Sequence, residues 1–202
     1  MKRILAAALL GAAAFLSACG TREPIAEGTV VSVQEIVQSE ERDDSGRYYE
    51  PPMVPEVAWK VDVPAGTELS RFTLDASDDA ADLDLFVYKL KDGDDSVATA
   101  VWQSASQAAD EQVTLVKPAA GRYLVVANMY APTSGMVWDL WSGSVPTAAA
   151  TGGFAASPNP LTVTQGTKVS YNLAWTGLDP AGRYLGVVQY GTSAVRTIVT
   201  VD

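Results

Sequence analysis

The sequence predicts an all-β protein, an antiparallel, jelly-roll-like β-sandwich followed by a small C-terminal β-sandwich or half-sandwich module. Three observations predict it. From Glu56 onward, apolar and polar residues alternate with a period of two, the pattern of a strand with one buried face. Turn chemistry built from Gly, Pro, Asn and Asp separates the alternating runs. No segment beyond the N-terminal apolar run sustains a helical period.

The elements follow in order. Val57, Trp59, Val61 and Val63 alternate with Ala58, Lys60 and Asp62, and Pro64-Ala65-Gly66 supplies the next turn. Phe72 and Leu74 continue the pattern in a short strand, Leu83, Leu85 and Val87 in the next, and Asp92-Gly93-Asp94-Asp95 reads as a turn. Residues 113–116 form a further strand, Pro118-Ala119-Ala120-Gly121 turns into the strand 122–130, and residues 136–141 close the region. Trp138 and Trp141 have opposite parity there, so one of them should point away from the main core. Roughly seven strands within about 90 residues fit a sandwich. Residues 146–158, rich in Ala, Thr and Gly, read as a linker. Beyond it, 161–164, 168–176, 183–190 and 195–201 are four strands, with Val169, Tyr171, Leu173 and Trp175 as the cleanest apolar face. One pentapeptide recurs: Ala120-Gly121-Arg122-Tyr123-Leu124 and Ala181-Gly182-Arg183-Tyr184-Leu185 each follow a proline and open a strand.

The N-terminus reads as an address. Lys2 and Arg3 precede an uncharged run of about 12 residues from Ile4 to Phe15, whereas a bilayer span needs roughly 20. Leu16-Ser17-Ala18-Cys19-Gly20 then places small residues before the only cysteine, with the spacing of a bacterial lipobox. This predicts a signal peptide over residues 1–18 and lipidation of Cys19. The protein is then exported and held at the bacterial cell membrane or outer membrane by acyl chains, each buried CH₂ contributing about 0.8 kcal/mol. Residues 19–55 read as an acidic, Pro-rich tether with a strand near residues 28–33. Within it Ser39 to Arg47 has no apolar residue, and Tyr48 to Pro55 holds three prolines. The expected organisation is therefore 1–18 signal, 19–55 tether, 56–145 sandwich, 146–158 linker and 159–202 small β module.

Composition removes whole classes of chemistry. The 202 residues include no His and one Cys, which excludes Ser-His-Asp and Cys-His catalysis, His-ligated metals and an internal disulfide. A net charge of −10 repels a phosphate backbone, so nucleic acid is not an expected partner. No Ser-x-x-Lys occurs, and no carboxylate pair is singled out by its spacing. The chain is expected not to be an enzyme.

The strongest polar concentration is Asp75, Asp78, Asp79, Asp82 and Asp84, with Asp92, Asp94 and Asp95 nearby. Calcium takes roughly six to eight oxygen ligands, which loops between strands can supply, so these five aspartates are the candidate calcium site. The alternative is that the loop aspartates are solvated turn residues and Asp82 bonds local backbone amides. No EF-hand pattern is present. The aromatic residues Trp102, Trp138, Trp141, Trp175, Tyr123, Tyr130, Tyr184 and Tyr190 form either core or a stacking surface.

Several runs together resemble a known family. They are Trp59-Lys60-Val61-Asp62-Val63-Pro64-Ala65-Gly66-Thr67, Leu69-Ser70-Arg71-Phe72, Ala81-Asp82-Leu83-Asp84-Leu85-Phe86-Val87-Tyr88, Ala109-Asp110-Glu111-Gln112-Val113 and Ala119-Ala120-Gly121-Arg122-Tyr123-Leu124-Val125-Val126. They resemble the bacterial pre-peptidase C-terminal domain, and with the module from Pro160 the non-catalytic tail of secreted subtilisin-like serine peptidases. The resemblance covers about 145 of the 202 residues. It implies a jelly-roll-like sandwich appended to a protease, with related modules that use calcium and grip extracellular polymers. No peptidase motif is present in this chain, so the protease's activity does not transfer. The expected function is an exported lipoprotein presenting a non-catalytic sandwich for binding or structural work at the cell envelope. The rival expectations are an accessory subunit of a separate secreted peptidase and a calcium-dependent adhesion module for extracellular polymer.

Overall fold

The structure is a computed structural model that describes residues 11–13, 15–29, 58–147 and 153–201. Its regular elements are all strands: β1 (Gly11–Ala13), β2 (Phe15–Thr29), β3 (Ala58–Val63), β4 (Thr67–Ala76), β5 (Asp82–Lys91), β6 (Asp94–Ser104), β7 (Glu111–Val116), β8 (Gly121–Ala131), β9 (Val137–Pro146), β10 (Ala155–Ser157), β11 (Leu161–Val163), β12 (Asn172–Ala174), β13 (Arg183–Tyr190) and β14 (Arg196–Val201). The chain divides into two compact units, one from Arg22 to Ser144 and one that comprises the described residues before Arg22 and from Val145 on.

The Arg22–Ser144 unit is a sandwich of antiparallel sheets. One sheet has the order β3-β8-β5-β6, and the other runs β2-β9-β4-β7 within this unit. Both sheets contribute to one core. Val63, Leu83, Leu85, Val87, Tyr123, Val125, Ala127 and Met129 come from the first sheet, and Phe72, Leu74, Val113, Leu115, Trp138 and Leu140 from the second. Burial follows the alternation in the sequence. In β5, Leu83, Leu85 and Val87 are buried while Asp82, Asp84 and Phe86 are only partly covered. The buried polar residues have partners: Ser70 Oγ lies 2.9 Å from Ser144 Oγ, Thr67 Oγ1 donates to the Pro64 carbonyl at 2.8 Å, and Glu68 faces Lys117 Nζ at 4.0 Å.

Three elements differ from the sequence expectation. The sandwich begins with β2 rather than at residue 56. Its residues Arg22 to Thr29 pair antiparallel with β9 from Gly143 to Val137. The tether reading missed this strand because Thr21-Arg22-Glu23-Pro24 offers no apolar alternation, and the ladder accommodates the proline by a register shift between Pro24 and Ala26. The expected strand over 28–33 and the acidic and Pro-rich parts of the tether lie outside the described residues beyond Thr29. Second, Asp94 and Asp95 belong to β6, so the turn reduces to Asp92-Gly93, with Gly93 at φ +79° between the paired Lys91 and Asp94. β6 is an edge strand, and none of its described side chains is buried, so it carries no core period to detect. Third, the expected strand 168–176 shrinks to β12, and Val169 and Trp175 are each 42 % exposed. Of the linker, Pro146 ends β9, residues 155–157 form β10 and residues 148–152 lie outside the described residues.

The other unit is small. β13 pairs with β14, β10 with β12, and β1 with β11. Phe154, Ala156, Tyr184 and Val188 form its buried cluster, flanked by Leu161, Tyr171, Leu173, Leu178, Tyr190, Val199 and Val201. The recurring pentapeptide builds the same local device in both units. Tyr123 Oη donates to the Ala119 carbonyl at 2.8 Å, and Tyr184 Oη accepts from the Asp179 backbone N–H at 2.9 Å. Each tyrosine thus ties the start of its strand to the chain a few residues upstream.

Candidate functional site

The five candidate calcium ligands are spread along the chain path from the end of β4 to the start of β5. Asp75 is exposed near the end of β4, Asp78 and Asp79 lie in the connecting loop, and Asp82 and Asp84 lie on the partly covered face of β5 opposite Ala131 and Asn128. Asp78 is already engaged by protein donors. Its Oδ2 accepts from Thr133 Oγ1 at 2.6 Å and its Oδ1 from the Ala80 backbone N–H at 3.0 Å. The Thr133 hydroxyl, helped by the Ala80 amide, holds the Asp78 carboxyl below its ordinary range. Among the described residues, no group of three or more His, Cys, Asp or Glu side chains is placed to hold a metal ion.

A second carboxylate organises the neighbouring loop. Glu111 is 3 % exposed, because its position in β7 has the parity of the core residues Val113 and Leu115. Its oxygens accept from the Ser106 backbone N–H at 2.9 Å, from Ser106 Oγ at 2.6 Å and from Ser104 Oγ. Beside it, Asp110 Oδ1 accepts from the Ala76 N–H at 3.0 Å, which fastens the same loop to β4. Sequence reading placed Glu111 only within a family-like run, since burial of a carboxylate depends on donors distant in the chain.

Cys19 lies within β2, three residues before Arg22, the first residue of that strand in register with β9. The outward face of the β2-β9-β4-β7 sheet follows from parity. In β4 the core takes Phe72, Leu74 and Ala76, which leaves Arg71, Thr73 and Asp75 outward. Thr114 in β7 and Asp139 and Trp141 in β9 face the same way. The expectation for the two tryptophans holds: Trp138 is 3 % exposed in the core and 6.0 Å from Trp59, while Trp141 is half-buried on the other face. Arg22 lies over the Trp141 ring, 5.8 Å from its centroid, and its Nη2 donates to Thr73 Oγ1 at 3.1 Å. Arg71 donates through Nε to Thr114 Oγ1, its register partner, at 3.0 Å. Burial holds the Arg71 guanidinium below its usual range, and the adjacent Arg22 cation pushes it the same way. Sequence reading missed this pair, because Arg22 and Arg71 are far apart in the chain and only the sheet order unites them.

At one end of the sandwich an open depression of about 450 Å³ is lined by Asp62, Lys91, Asp92, Gly93, Gly121 and Arg122. Its charges are in part matched, Arg122 with Asp62 at 3.5 Å and Lys89 with Asp92 at 3.7 Å. Of the aromatic residues, Tyr123 and Tyr184 are buried and belong to the cores, while Trp102 and Tyr130 are exposed at 38 % and 65 %. Trp102 and Tyr123 lie 6.1 Å apart, so the exposed indole is a margin of the core.

Neither a scan of protein-family models nor a search of curated proteins finds a match to this chain. The all-β, antiparallel class is defined by the fold itself.

Proposed function

We propose that the protein is an exported, lipid-anchored module that presents a non-catalytic β-sandwich, similar to the tail of subtilisin-like peptidases, for binding or structural work at the cell envelope. The observation that carries this reading is the run Leu16-Ser17-Ala18-Cys19-Gly20 behind a basic start and a short apolar stretch. Cleavage before Cys19 would leave Arg22 to Thr29, all of the strand in register with β9, in the mature chain, and would remove β1 and Phe15 to Ala18 of β2. The distinctive runs also support it, because Asp82 to Tyr88 lies in β5 and Arg122 to Val126 in β8, the paired inner strands of one sheet. Anchoring within a few residues of a sheet strand would hold the sandwich close to the bilayer, since three extended residues span roughly 10 Å. The lack of histidine supports a role by binding rather than by His-dependent hydrolysis.

The test is the mass of the mature N-terminus isolated from host membranes. A chain that begins at Cys19 and carries diacylglyceryl and acyl groups is expected, with Cys19→Ser blocking both modification and processing. A different N-terminus, or an unmodified Cys19 thiol, would overturn the anchor.

A further inference from the structure

We propose that an open pocket of the smaller unit, built around Trp175 and Asp179, binds an organic ammonium group, the indole receiving its alkyl surface and the carboxylate its charge.

The pocket holds about 280 Å³ and is lined by Trp175, Thr176, Leu178 and Asp179, with the buried Tyr184 and Val201 of β14 among its other walls. Ordinary small-molecule sites run roughly 300–1,000 Å³, so this one suits a single compact group. Trp175 follows the end of β12 and is 42 % exposed, with its ring centroid 6.4 Å from that of the buried Phe154. An indole that packs toward the local core and also lines an open pocket is placed to receive a ligand.

The carboxylate beside it is held by its own loop. The Gly182 N–H donates to the Asp179 carbonyl at 2.9 Å, the Asp179 N–H donates to Tyr184 Oη at 2.9 Å, and Asp179 Oδ1 accepts from the Ala181 N–H at 2.9 Å. These bonds fix the loop and one carboxylate oxygen, while Oδ2 has no protein donor among the described residues. A site whose groups are already oriented loses less entropy on binding.

Charge selects the ligand. Asp179 is the one charged residue in the lining, and among the described residues no Lys or Arg lies within ion-pair distance of it. An anion would meet that carboxylate with no cation to offset it. A cation is attracted both by the carboxylate and by the negative face of the indole, the strongest of the aromatic partners. One carboxylate supplies too few oxygens for calcium, which takes roughly six to eight, whereas Leu178, Val201 and the rings match alkyl groups on nitrogen. The chain's net charge of −10 adds a long-range pull on cations. None of these residues lies near Cys19 in the sequence, so the inference holds with or without the proposed anchor.

The test uses the full chain in a nonionic detergent, with the backbone amide resonances of Gly177 and Gly182 as the readout. It is titrated at constant ionic strength with choline, with butylammonium and with 3,3-dimethylbutan-1-ol, the uncharged carbon analogue of choline. Expected is saturable movement of both amides with an ammonium ion at millimolar concentration, since water screens an exposed carboxylate. A response to choline alone would assign a quaternary headgroup, and a response to butylammonium alone a primary amine. Affinity should fall about two- to fivefold in Asp179→Asn, which keeps an acceptor for the Ala181 N–H, and by a similar factor in Trp175→Leu. Trp175→Phe should retain more affinity than Trp175→Leu, a gradation that follows the aromatic face. Asp62→Asn, whose carboxylate faces Arg122 in the other unit, should change nothing. Thermal melts of the variants separate loss of binding from loss of fold. Equal movement with the uncharged alcohol would overturn the cation reading, and no saturable movement with either ammonium ion would overturn the site. Undiminished affinity in Asp179→Asn, or equal affinity in the parent, Trp175→Phe and Trp175→Leu, would overturn the assignment to these residues.

Discussion

Replacing Gly182 by alanine should destabilise the smaller unit by about 2 kcal/mol, and the structure says why. A Cβ at Gly182 would lie 2.5 Å from Tyr184 Oη, 2.8 Å from Cζ and 2.9 Å from Cε2, where ordinary carbon contacts sit at roughly 3.5–4.0 Å. Gly182 is not among the glycines with positive φ, so its backbone accepts alanine and the cost is steric. Overpacking of this kind costs about 1–3 kcal/mol. Moving the ring also loses the hydrogen bond from the Asp179 N–H, about 0.5–1.5 kcal/mol. Against this, alanine restricts the unfolded chain and returns about 0.4–1 kcal/mol. Tyr184→Phe alone should cost about 1 kcal/mol. The double variant should be less destabilised than the sum of the two, by about 1 kcal/mol, because the nearest clash is with the hydroxyl while the ring carbons remain in the way. Urea-dependent amide exchange across β13 (Arg183–Tyr190) reads the stability of this unit by itself. A Gly182→Ala protein as stable as the parent, or strict additivity with Tyr184→Phe, would refute the packing argument. The matching position in the other pentapeptide should behave differently. Gly121 has φ +121°, and its Cβ would meet the movable Lys89 Nζ at 2.7 Å. There alanine strains the backbone by about 1–3 kcal/mol, and trimming Lys89 should not rescue it.

Two further outcomes are expected. Glu111→Gln should cost about 1.5–3 kcal/mol, since a neutral amide replaces a buried acceptor of three donors, and amide exchange at Ser106 should accelerate well beyond that in β8; unchanged protection at Ser106 would show that the carboxylate does not hold the loop. Asp78 has a lowered pKa in the folded protein, so its contribution to stability is present above the unfolded carboxylate pKa and is lost as pH falls through the folded value. Thr133→Val removes the larger cause, and a carbon-detected titration of Asp78 should then show its pKa move up toward the ordinary carboxylate value.

Particular residues show how much was legible. The alternation Leu83, Leu85, Val87 was readable as a strand with one buried face, and those three are fully buried in β5. The parity of Trp138 and Trp141 was equally readable, because a strand repeats every two residues whatever it packs against. β6 was not readable, since an edge strand without buried side chains has no apolar period to register. β2 was not readable either, because its pairing depends on the backbone of β9, more than a hundred residues away, and backbone hydrogen bonding leaves little mark in side-chain type. The aspartates were visible as a cluster in the sequence, yet visibility in one dimension does not make carboxylates converge. Asp82 and Asp84 stand along a strand, and Asp78 turns back to its own loop and to Thr133.

The sequence by itself determined the all-β class, the core faces of the inner strands and the exclusion of histidine-dependent chemistry, since each depends on composition or on a local period. Only the tertiary structure decided that Glu111 is buried among serine donors, that Gly121 and Gly182 are glycines for different reasons, and that Arg22 and Arg71 share one face. Those facts rest on sheet order and register, which bring together side chains tens of residues apart and which no local pattern encodes.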